Sequence, residues 1–262
     1  MKSLVKCFVA LIPCLLCAAT AAHAQAYPAK PIRLLVGFPA GGGADGMARL
    51  TATHLAEALG GQIVVENRPG AGGTLAADAL AKAPADGYTL YFADTSVLVA
   101  PAIYASVPYD PQKSFAPVGM VGILPLVIVA NPALPANNPA ELIALLRANP
   151  GKYSYASPGI GTVTSPGKLS GASEWPALAD TLPGFDASPS VFVIAPVGTP
   201  AAVISRLDAA LKGVLTKPVV LDALAAQGAK VTPGSAEQLA AFIASEVRKW
   251  GAVARESGAK AQ

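Results

Sequence analysis

Two glycine-rich loops carry most of the chemistry that can be read from this sequence. Pro39-Ala40-Gly41-Gly42-Gly43 follows the apolar run Ile32-Arg33-Leu34-Leu35-Val36-Gly37-Phe38, and Ser157-Pro158-Gly159-Ile160-Gly161-Thr162 follows Tyr153-Ser154-Tyr155-Ala156. Glycine leaves backbone N–H groups without Cβ cover, and amides aimed from a helix start suit an anion. Either loop alone reads more simply as a tight turn, but a pair, one in each half of the chain, points to a ligand cleft. Open α/β sheets take ligands at the carboxyl ends of their strands, where both loops fall. Asp94-Thr95-Ser96 ends a further apolar run and brings hydroxyls to the same level. The candidate ligand contacts are therefore Phe38, Ala40, Gly41, Gly42, Gly43, Asp45, Asp94, Thr95, Ser96, Ser157, Gly159, Gly161 and Thr162. Asp45 reads as a cap and dipole partner of the helix that follows, with pairing to a ligand amino group as the alternative.

Other chemistries find less support. Gly41-x-Gly43-x-x-Gly46, with Glu66 at the end of the next strand, has the spacing of a dinucleotide fingerprint. Pro39-Ala40 separates the strand from the first glycine, so a periplasmic dinucleotide-dependent oxidoreductase stands as the alternative reading. Glu66 serves more simply to stabilise the Asn67-Arg68-Pro69-Gly70 turn. No Gly-Lys-Ser/Thr closes the first loop, which excludes a P-loop. His54, between Leu50 and Leu55 on a helix, reads as a half-buried structural residue rather than a base. Arg248, Lys249 and Arg255 read as a solvated helix face.

The first two dozen residues are set aside as a leader. Lys2 and Lys6 precede the apolar run Cys7–Cys17, and Ala22-His23-Ala24 matches the small-x-small pattern of a signal cleavage site. The run is shorter than the roughly 20 residues that a membrane span needs. Export to the periplasm with cleavage after Ala24 is expected, giving a mature chain from Gln25. All three cysteines and His23 lie in the leader, so the mature chain has no cysteine and a single histidine, His54. A disulfide and a zinc site of Cys and His are excluded there, and no cofactor, metal or catalytic group is expected. Removing Lys2 and Lys6 from 19 basic residues leaves 17 against 16 acidic ones, which gives no electrostatic case for nucleic acid. With 53% hydrophobic and 13% charged residues the chain is too apolar for disorder, and 25 Gly with 24 Pro is too many breakers for a helical bundle.

The order of elements indicates an α/β fold. A strand over 32–38 leads to a helix starting at Asp45 that carries Met47, Leu50, Leu55 and Leu59 and stops at Gly60-Gly61. A strand over Gln62–Glu66, a helix over Thr74–Lys82 and a strand over Tyr88–Ala93 follow, the alternation of a parallel sheet with crossover helices. Next come a strand over Pro125–Ala130, a helix over Pro139–Ala148 and a strand over Tyr153–Ala156. From Pro166 to Pro189 the pattern decays. It recovers in a strand over Val191–Pro196 and helices over Pro200–Leu215, Pro218–Gln227 and Ala236–Arg255.

A series of ordered blocks then carries a family resemblance. Tyr27-Pro28-x-Lys30-Pro31-Ile32-Arg33, Phe38-Pro39-Ala40-Gly41-Gly42-Gly43-Ala44-Asp45, Val65 to Gly73 as Val-Glu-Asn-Arg-Pro-Gly-Ala-Gly-Gly and Ala85-Asp86-Gly87-Tyr88-Thr89-Leu90 are four of them. Pro108-Tyr109-Asp110-Pro111, Phe115-Ala116-Pro117-Val118, Tyr155-Ala156-Ser157-Pro158-Gly159, Ala195-Pro196-x-Gly198-Thr199-Pro200 and Lys249-Trp250-Gly251 continue the series. Over nearly the whole mature chain they resemble the Bug or TctC family, the periplasmic solute receptors of tripartite tricarboxylate transporters. The resemblance implies a non-enzymatic, monomeric receptor whose fold resembles the type II periplasmic binding proteins. Two α/β lobes would close on a small carboxylate and deliver it to the membrane permease subunits.

Two departures from the family pattern matter. Ala44 stands where the usual first loop has a threonine, which removes one hydroxyl donor. Between Ser165 and about Ser173 the family continues with a helix and two strands missing here, roughly sixty residues, as much as a small domain. The expected organisation is a signal peptide over 1–24, a first lobe of 25–124 plus 191–262, and a truncated second lobe over 125–190. Two strands cannot cover the edges and apolar faces such a loss exposes. Impaired binding is therefore expected, with a non-binding degenerate receptor as the limiting case.

Overall fold

A computed structural model describes residues 27–124, 128–154, 178–183 and 189–259. The leader and the second glycine loop, with Ser157, Gly159, Gly161 and Thr162, lie outside the described residues.

One six-stranded sheet organises the chain, in the order β2-β1-β3-β5-β4-β6. Its strands are β1 (Ile32–Val36), β2 (Ile63–Asn67), β3 (Thr89–Asp94), β4 (Phe115–Ile123), β5 (Ser190–Pro196) and β6 (Lys230–Gly234). The helices are α1 (Gly43–Leu59), α2 (Thr74–Ala81), α3 (Ser96–Ile103), α4 (Pro139–Ala148), α5 (Leu178–Thr181), α6 (Ala201–Val214), α7 (Pro218–Ala226) and α8 (Ala236–Ser257). β1 pairs in parallel with β2 and β3, so the expected crossover units are present in the first half. The second half departs from that pattern: β5 runs antiparallel to both β3 and β4, and β6 antiparallel to β4. The reversal follows from β5 entering the sheet from the far end after residues 124–189, so no right-handed crossover precedes it.

Side chains alternate across each strand, and this divides the core into two apolar layers. Ile32, Leu34 and Val36 of β1, Leu90 and Phe92 of β3 and Val191, Val193 and Ala195 of β5 face α1, α6 and α7, where they meet Met47, Leu55, Leu207, Leu211 and Leu224. Leu35, Tyr91, Ala93, Phe192 and Ile194 face the other way, toward α2, α3 and α8, and pack with Leu80, Val97, Leu239 and Ile243. β3 and β5 are buried along their whole length, which is why both read as unbroken apolar runs. The long α8 opens with a capping box, Ser235 Oγ accepting from Gln238 N while the Gln238 side chain accepts from Ser235 N.

Several elements differ from the sequence expectation. α1 begins at Gly43, two residues before Asp45, with Gly42 as a cap that offers no side chain. α3 starts at Ser96, directly after β3, in a stretch to which the sequence pattern assigns no element; it is short and contains Pro101, which hides it. β4 was not expected because Pro117, Gly119 and Gly122 interrupt it, and its ladder shifts register at two of these points. β6 was missed because it is a mostly polar edge strand. Conversely, Ile128–Ala130 and Tyr153–Ser154 form no strand; Pro125–Val127 and Tyr155–Ala156, the rest of those runs, lie outside the described residues. Ile128 and Val129 are 60% and 84% exposed. An apolar run becomes a strand only where a neighbour completes its ladder, and none of the described strands is placed to do so.

Phe192, fully buried in the strand that joins the two halves of the sheet, makes an edge contact with Phe242 of α8 at 6.2 Å between ring centres. Phe192→Ala is expected to cost about 3–5 kcal/mol of unfolding free energy, whereas Ser235→Ala at the α8 cap is expected to cost about 1 kcal/mol. Denaturant titration of both variants against the parent checks the ratio.

Candidate functional site

β1 leads outward to β2 on one side and to β3 on the other, so the strand order reverses at the carboxyl ends of β1 and β3, where open α/β sheets form a crevice. Three loops meet at this level. The first, Phe38 to Gly42, follows β1 and ends at the start of α1. Its Pro39 to Gly43 stretch is exposed and Phe38 is partly buried. The second, Arg68 to Gly73, follows β2. The third is the junction of β3 with α3 at Asp94, Thr95 and Ser96.

A buried acid organises the first loop. Asp45 is 3% exposed. Its Oδ2 accepts from the Gly41 amide at 2.9 Å and from Arg49 Nε at 2.9 Å, and its Oδ1 accepts from Asn67 Nδ2 at 2.8 Å. Asn67 Nδ2 also donates to the Phe38 carbonyl at 3.0 Å, and Asn67 Oδ1 accepts from Arg49 Nη2 at 2.9 Å. The hydrogen bond from Arg49 outweighs burial, and with those from Gly41 and Asn67 it holds the Asp45 carboxyl down at about 2. Both oxygens of Asp45 are therefore committed inside the protein, which corrects its reading as the helix cap. The same geometry occupies the Gly41 amide, while Gly42 and Gly43 stand exposed at the start of an α1 that no side chain caps. Asn67 and Arg49 were not singled out in the sequence; the signal was Asn67's place at a strand end, level with the loop.

The second loop packs against the base of the first. Gly70, Ala71, Gly72 and Gly73 all have positive φ, a conformation that glycine adopts without strain and that Ala71 holds at 46°. Tyr91 Oη donates to the Gly73 carbonyl at 3.2 Å. A Cβ on Gly37 would lie 2.8 Å from Gly73 Cα and closer still to Tyr91 Oη, so a side chain there would push the two loops apart.

At the third junction the hydroxyls are turned inward. Thr95 Oγ1 accepts from the Ser190 amide at 2.9 Å, and Ser96 Oγ donates to the Gly72 carbonyl at 2.9 Å and is hydrogen-bonded to Asp94 Oδ1. Asp94, Thr95 and Ser96 are all buried. The structure therefore places Asp94 and Ser96 beneath the second loop, and Thr95 against β5, rather than as a row of exposed hydroxyls. Burial raises the Asp94 carboxyl to about 6 against the lowering effect of the Ser96 hydrogen bonds.

The remaining candidates are accounted for locally. Glu66 Oε2 accepts from Arg33 Nη2 at 2.7 Å and its Oε1 from Arg68 Nε at 2.6 Å; these bonds hold its carboxyl below its usual range and pair both oxygens with arginines. His54 Nδ1 lies 3.2 Å from Glu57 Oε2 on the same helix. An open groove of about 450 Å³ runs beside β2, lined by Arg49, Ala52, Thr53, Ala56, Gly61, Gln62, Ile63 and Val65. It lies along the sheet edge and shares Arg49 with the cluster that holds the first loop. Among the described residues no group of three His, Cys, Asp or Glu side chains could hold a metal ion, and no helix is long and apolar enough to cross a membrane.

Comparison with known proteins decides between the sequence readings. The model of the tripartite tricarboxylate transporter family receptors matches residues 47–170 and 168–259. The chain belongs to that receptor family. It is similar to protein BugT of Bordetella pertussis, 34% identical over an alignment of 304 positions that covers 90% of this chain and 92% of the relative. A solved periplasmic transporter is 29% identical with a TM-score of 0.81, covering 90% of this chain and 99% of the other. A Rhodopseudomonas palustris protein solved with adipate shares the fold at 24% identity and a TM-score of 0.81, with 88% and 98% covered. This is a family of periplasmic solute receptors, and nothing in it favours the dinucleotide reading. The alignment to BugT, at 304 positions, exceeds the 262 residues of this chain, so at least 42 positions of the relative have no counterpart here. The two stretches matched by the family model meet at 168–170, inside the region read as shortened.

Asp45 generates a test of the first loop. Its carboxyl is held at about 2 in the fold against 3.8 for the free group, so it contributes stability above pH 4 that is lost as pH falls toward 2. Because Arg49 is half-exposed, the contribution is discounted to about 1–2 kcal/mol. Asp45→Asn is expected to be less stable than the parent at pH 7 by that amount and to close the gap between pH 4 and pH 2, as measured by denaturant unfolding across that range.

Proposed function

We propose that this chain is a periplasmic receptor for a small carboxylate, exported by a signal peptide cleaved after Ala24, and that as a monomer it delivers the ligand to the membrane permease subunits of a tripartite tricarboxylate transporter. The observation that carries the reading is the match of the family model to nearly the whole chain beyond residue 46. It is supported by the adipate in the similarly folded R. palustris protein. It performs no chemistry on the ligand; the task is to bind and release.

In this reading residues 25–124 with 191–262 are the first lobe and 125–190 a shortened second lobe. The return of β5 between β3 and β4 supports the grouping, since it ties the C-terminal elements to the same sheet as the N-terminal ones. The carboxylate is held by the amides of Gly42 and Gly43 at the positive end of α1, with Phe38 and Ala40 beside them, and by Ser157, Gly159, Gly161 and Thr162 from the opposite lobe. Such sites hold an anion without a buried countercharge, because converging N–H dipoles supply the field.

Closure of two lobes excludes water and gives the carboxylate donors from both sides. A segment missing from one wall removes donors and also the differential affinity that drives closure. Each lost charge-assisted hydrogen bond costs on the order of 1.5–3 kcal/mol, so two amount to about a hundredfold or more in affinity. Calorimetry of residues 25–262 against a panel of mono-, di- and tricarboxylates is expected to find weak binding, abolished by Gly42→Asp, which sets a like charge in the amide turn. Absence of binding across the panel turns the reading to a degenerate receptor, and tight binding refutes the loss of the wall. N-terminal sequencing of the exported protein is expected to begin at Gln25.

A further inference from the structure

The three atoms that join the third loop to the second do not hold enough protons if Asp94 is ionised. Ser96 Oγ lies 2.9 Å from the Gly72 carbonyl oxygen and is also hydrogen-bonded to Asp94 Oδ1. A serine hydroxyl has one proton to give. If it goes to a carboxylate, the Gly72 carbonyl faces a lone pair; if it goes to Gly72, a carboxylate oxygen faces one. Both contacts are satisfied together only when Asp94 carries a proton and donates to Ser96 Oγ, which in turn donates to Gly72. Ser96 N also reaches Asp94 Oδ1, at 3.1 Å, a bond that by itself favours the charged form, but burial outweighs it.

Among the described residues the only other help for the charged form comes from the Asp94 backbone N–H itself. Asp94 is 7% exposed and enters none of the described ion pairs. The ionisable groups that face it are Tyr91, on its own strand, and Tyr109, on the segment after α3. Both are neutral donors, to the Gly73 and Val97 carbonyls, and burial keeps them so. From β5 comes only Ser190, whose amide donates to Thr95 Oγ1 and whose carbonyl accepts from Thr95 N.

We propose that Asp94 is a proton-operated positioning residue: as the neutral acid it holds the Gly70–Gly73 loop through Ser96, and on ionising it draws the Ser96 hydroxyl to itself and releases the Gly72 carbonyl. The released loop is the one against which Gly37, at the base of the anion-binding turn, is packed. Ionisation also sets a negative charge at the strand end where an anion would sit. Carboxylate affinity therefore falls as pH rises through the titration of Asp94; this arm rests on the receptor reading, while the state of the loop does not.

The sign for stability follows from the same carboxyl. It is about 6 in the fold and 3.8 free, so the folded chain holds a proton that the unfolded chain has lost, and stability declines as pH rises from about 4 to about 6. Asp94→Asn keeps size and a donor for Ser96 without the charge. It is expected to melt higher than the parent at pH 7.5 and to show none of the decline between pH 5 and 7.5 that the parent shows.

The deciding experiment is an NMR titration of residues 25–262 between pH 4 and 8, following the Asp94 side-chain carbon and the Gly72 and Gly73 amides. One shared midpoint near 6 is expected, with the glycine transition lost in Asp94→Asn and in Ser96→Ala while Asp94 still titrates in the latter. An Asp94 carboxyl that ionises near 4, or glycine amides that ignore its titration, overturns the proposal, and Ser96→Ala decides the matter if Asp94→Asn fails to fold. With a fully ionised carboxylate as probe, affinity in the parent is expected to be about fivefold or more higher at pH 5 than at pH 7.5, and nearly flat in Asp94→Asn. No binding at either pH, with the shared midpoint intact, refutes the receptor reading and supports the loop device; binding with an unchanged pH ratio in Asp94→Asn refutes the device and leaves the receptor reading standing.

Discussion

The pairing of β5 with β3 on one side and β4 on the other is the constraint on which the rest of this structure depends. Without it the sheet falls into a parallel three-stranded piece and a β4-β6 pair, and neither buries both of its faces. The seven residues Ser190–Pro196 are buried throughout, and alternate residues feed the two apolar layers. Because β5 also supplies the Ser190 backbone that anchors Thr95, the joint that holds the sheet together also holds the third loop at the candidate site. The fold and the site share a fastening.

The first two loops are held by side chains that face away from any ligand. Asp45, Asn67 and Arg49 tie the glycine turn after β1 to the end of β2, and Tyr91 and Ser96 tie the turn after β2 to β3. An amide site needs this support, since a glycine-rich turn left to itself samples many conformations and would lose much of its affinity to ordering. The cost of burying Asp45 is offset by the three hydrogen bonds it accepts from Gly41, Arg49 and Asn67, and the cost of burying Asp94 is reduced when it keeps its proton. Two buried carboxyls within one sheet layer's reach thus sit at opposite ends of the usual range, set by the presence or absence of a cation.

Membership of the receptor family and a chain shorter than its relatives pull in different directions. The described sheet and its helices are complete enough to overlay on solved relatives along nearly their whole length, while at least 42 positions of BugT have no counterpart in this chain. A loss at the junction where the two matched segments meet leaves the three loops and their fastenings untouched. It bears on the donors that a second wall would contribute.

Much of the fold was legible in the residues themselves. The strands β1, β2 and β3 and the helices α1, α2, α4, α6, α7 and α8 announced themselves by apolar periodicity bounded by Gly and Pro, because local propensity and burial agree in them. The first glycine loop was legible as an exposed turn joining a strand to a helix for the same reason, since its glycines mark the break between the two periodicities. Tertiary structure decided what depended on partners distant in sequence. β4, broken by Pro117 and two glycines, became a strand because β5 and β6 completed its ladder, and the apolar Ile128–Ala130, with none of the described strands placed beside it, did not. The fold also decided that Asp45 serves the loop rather than a ligand, through Asn67, and that the Asp94 and Ser96 side chains turn inward to Gly72. A carboxyl's role is set by which donors, charges and solvent surround it, and those neighbours are brought together only when the chain has folded.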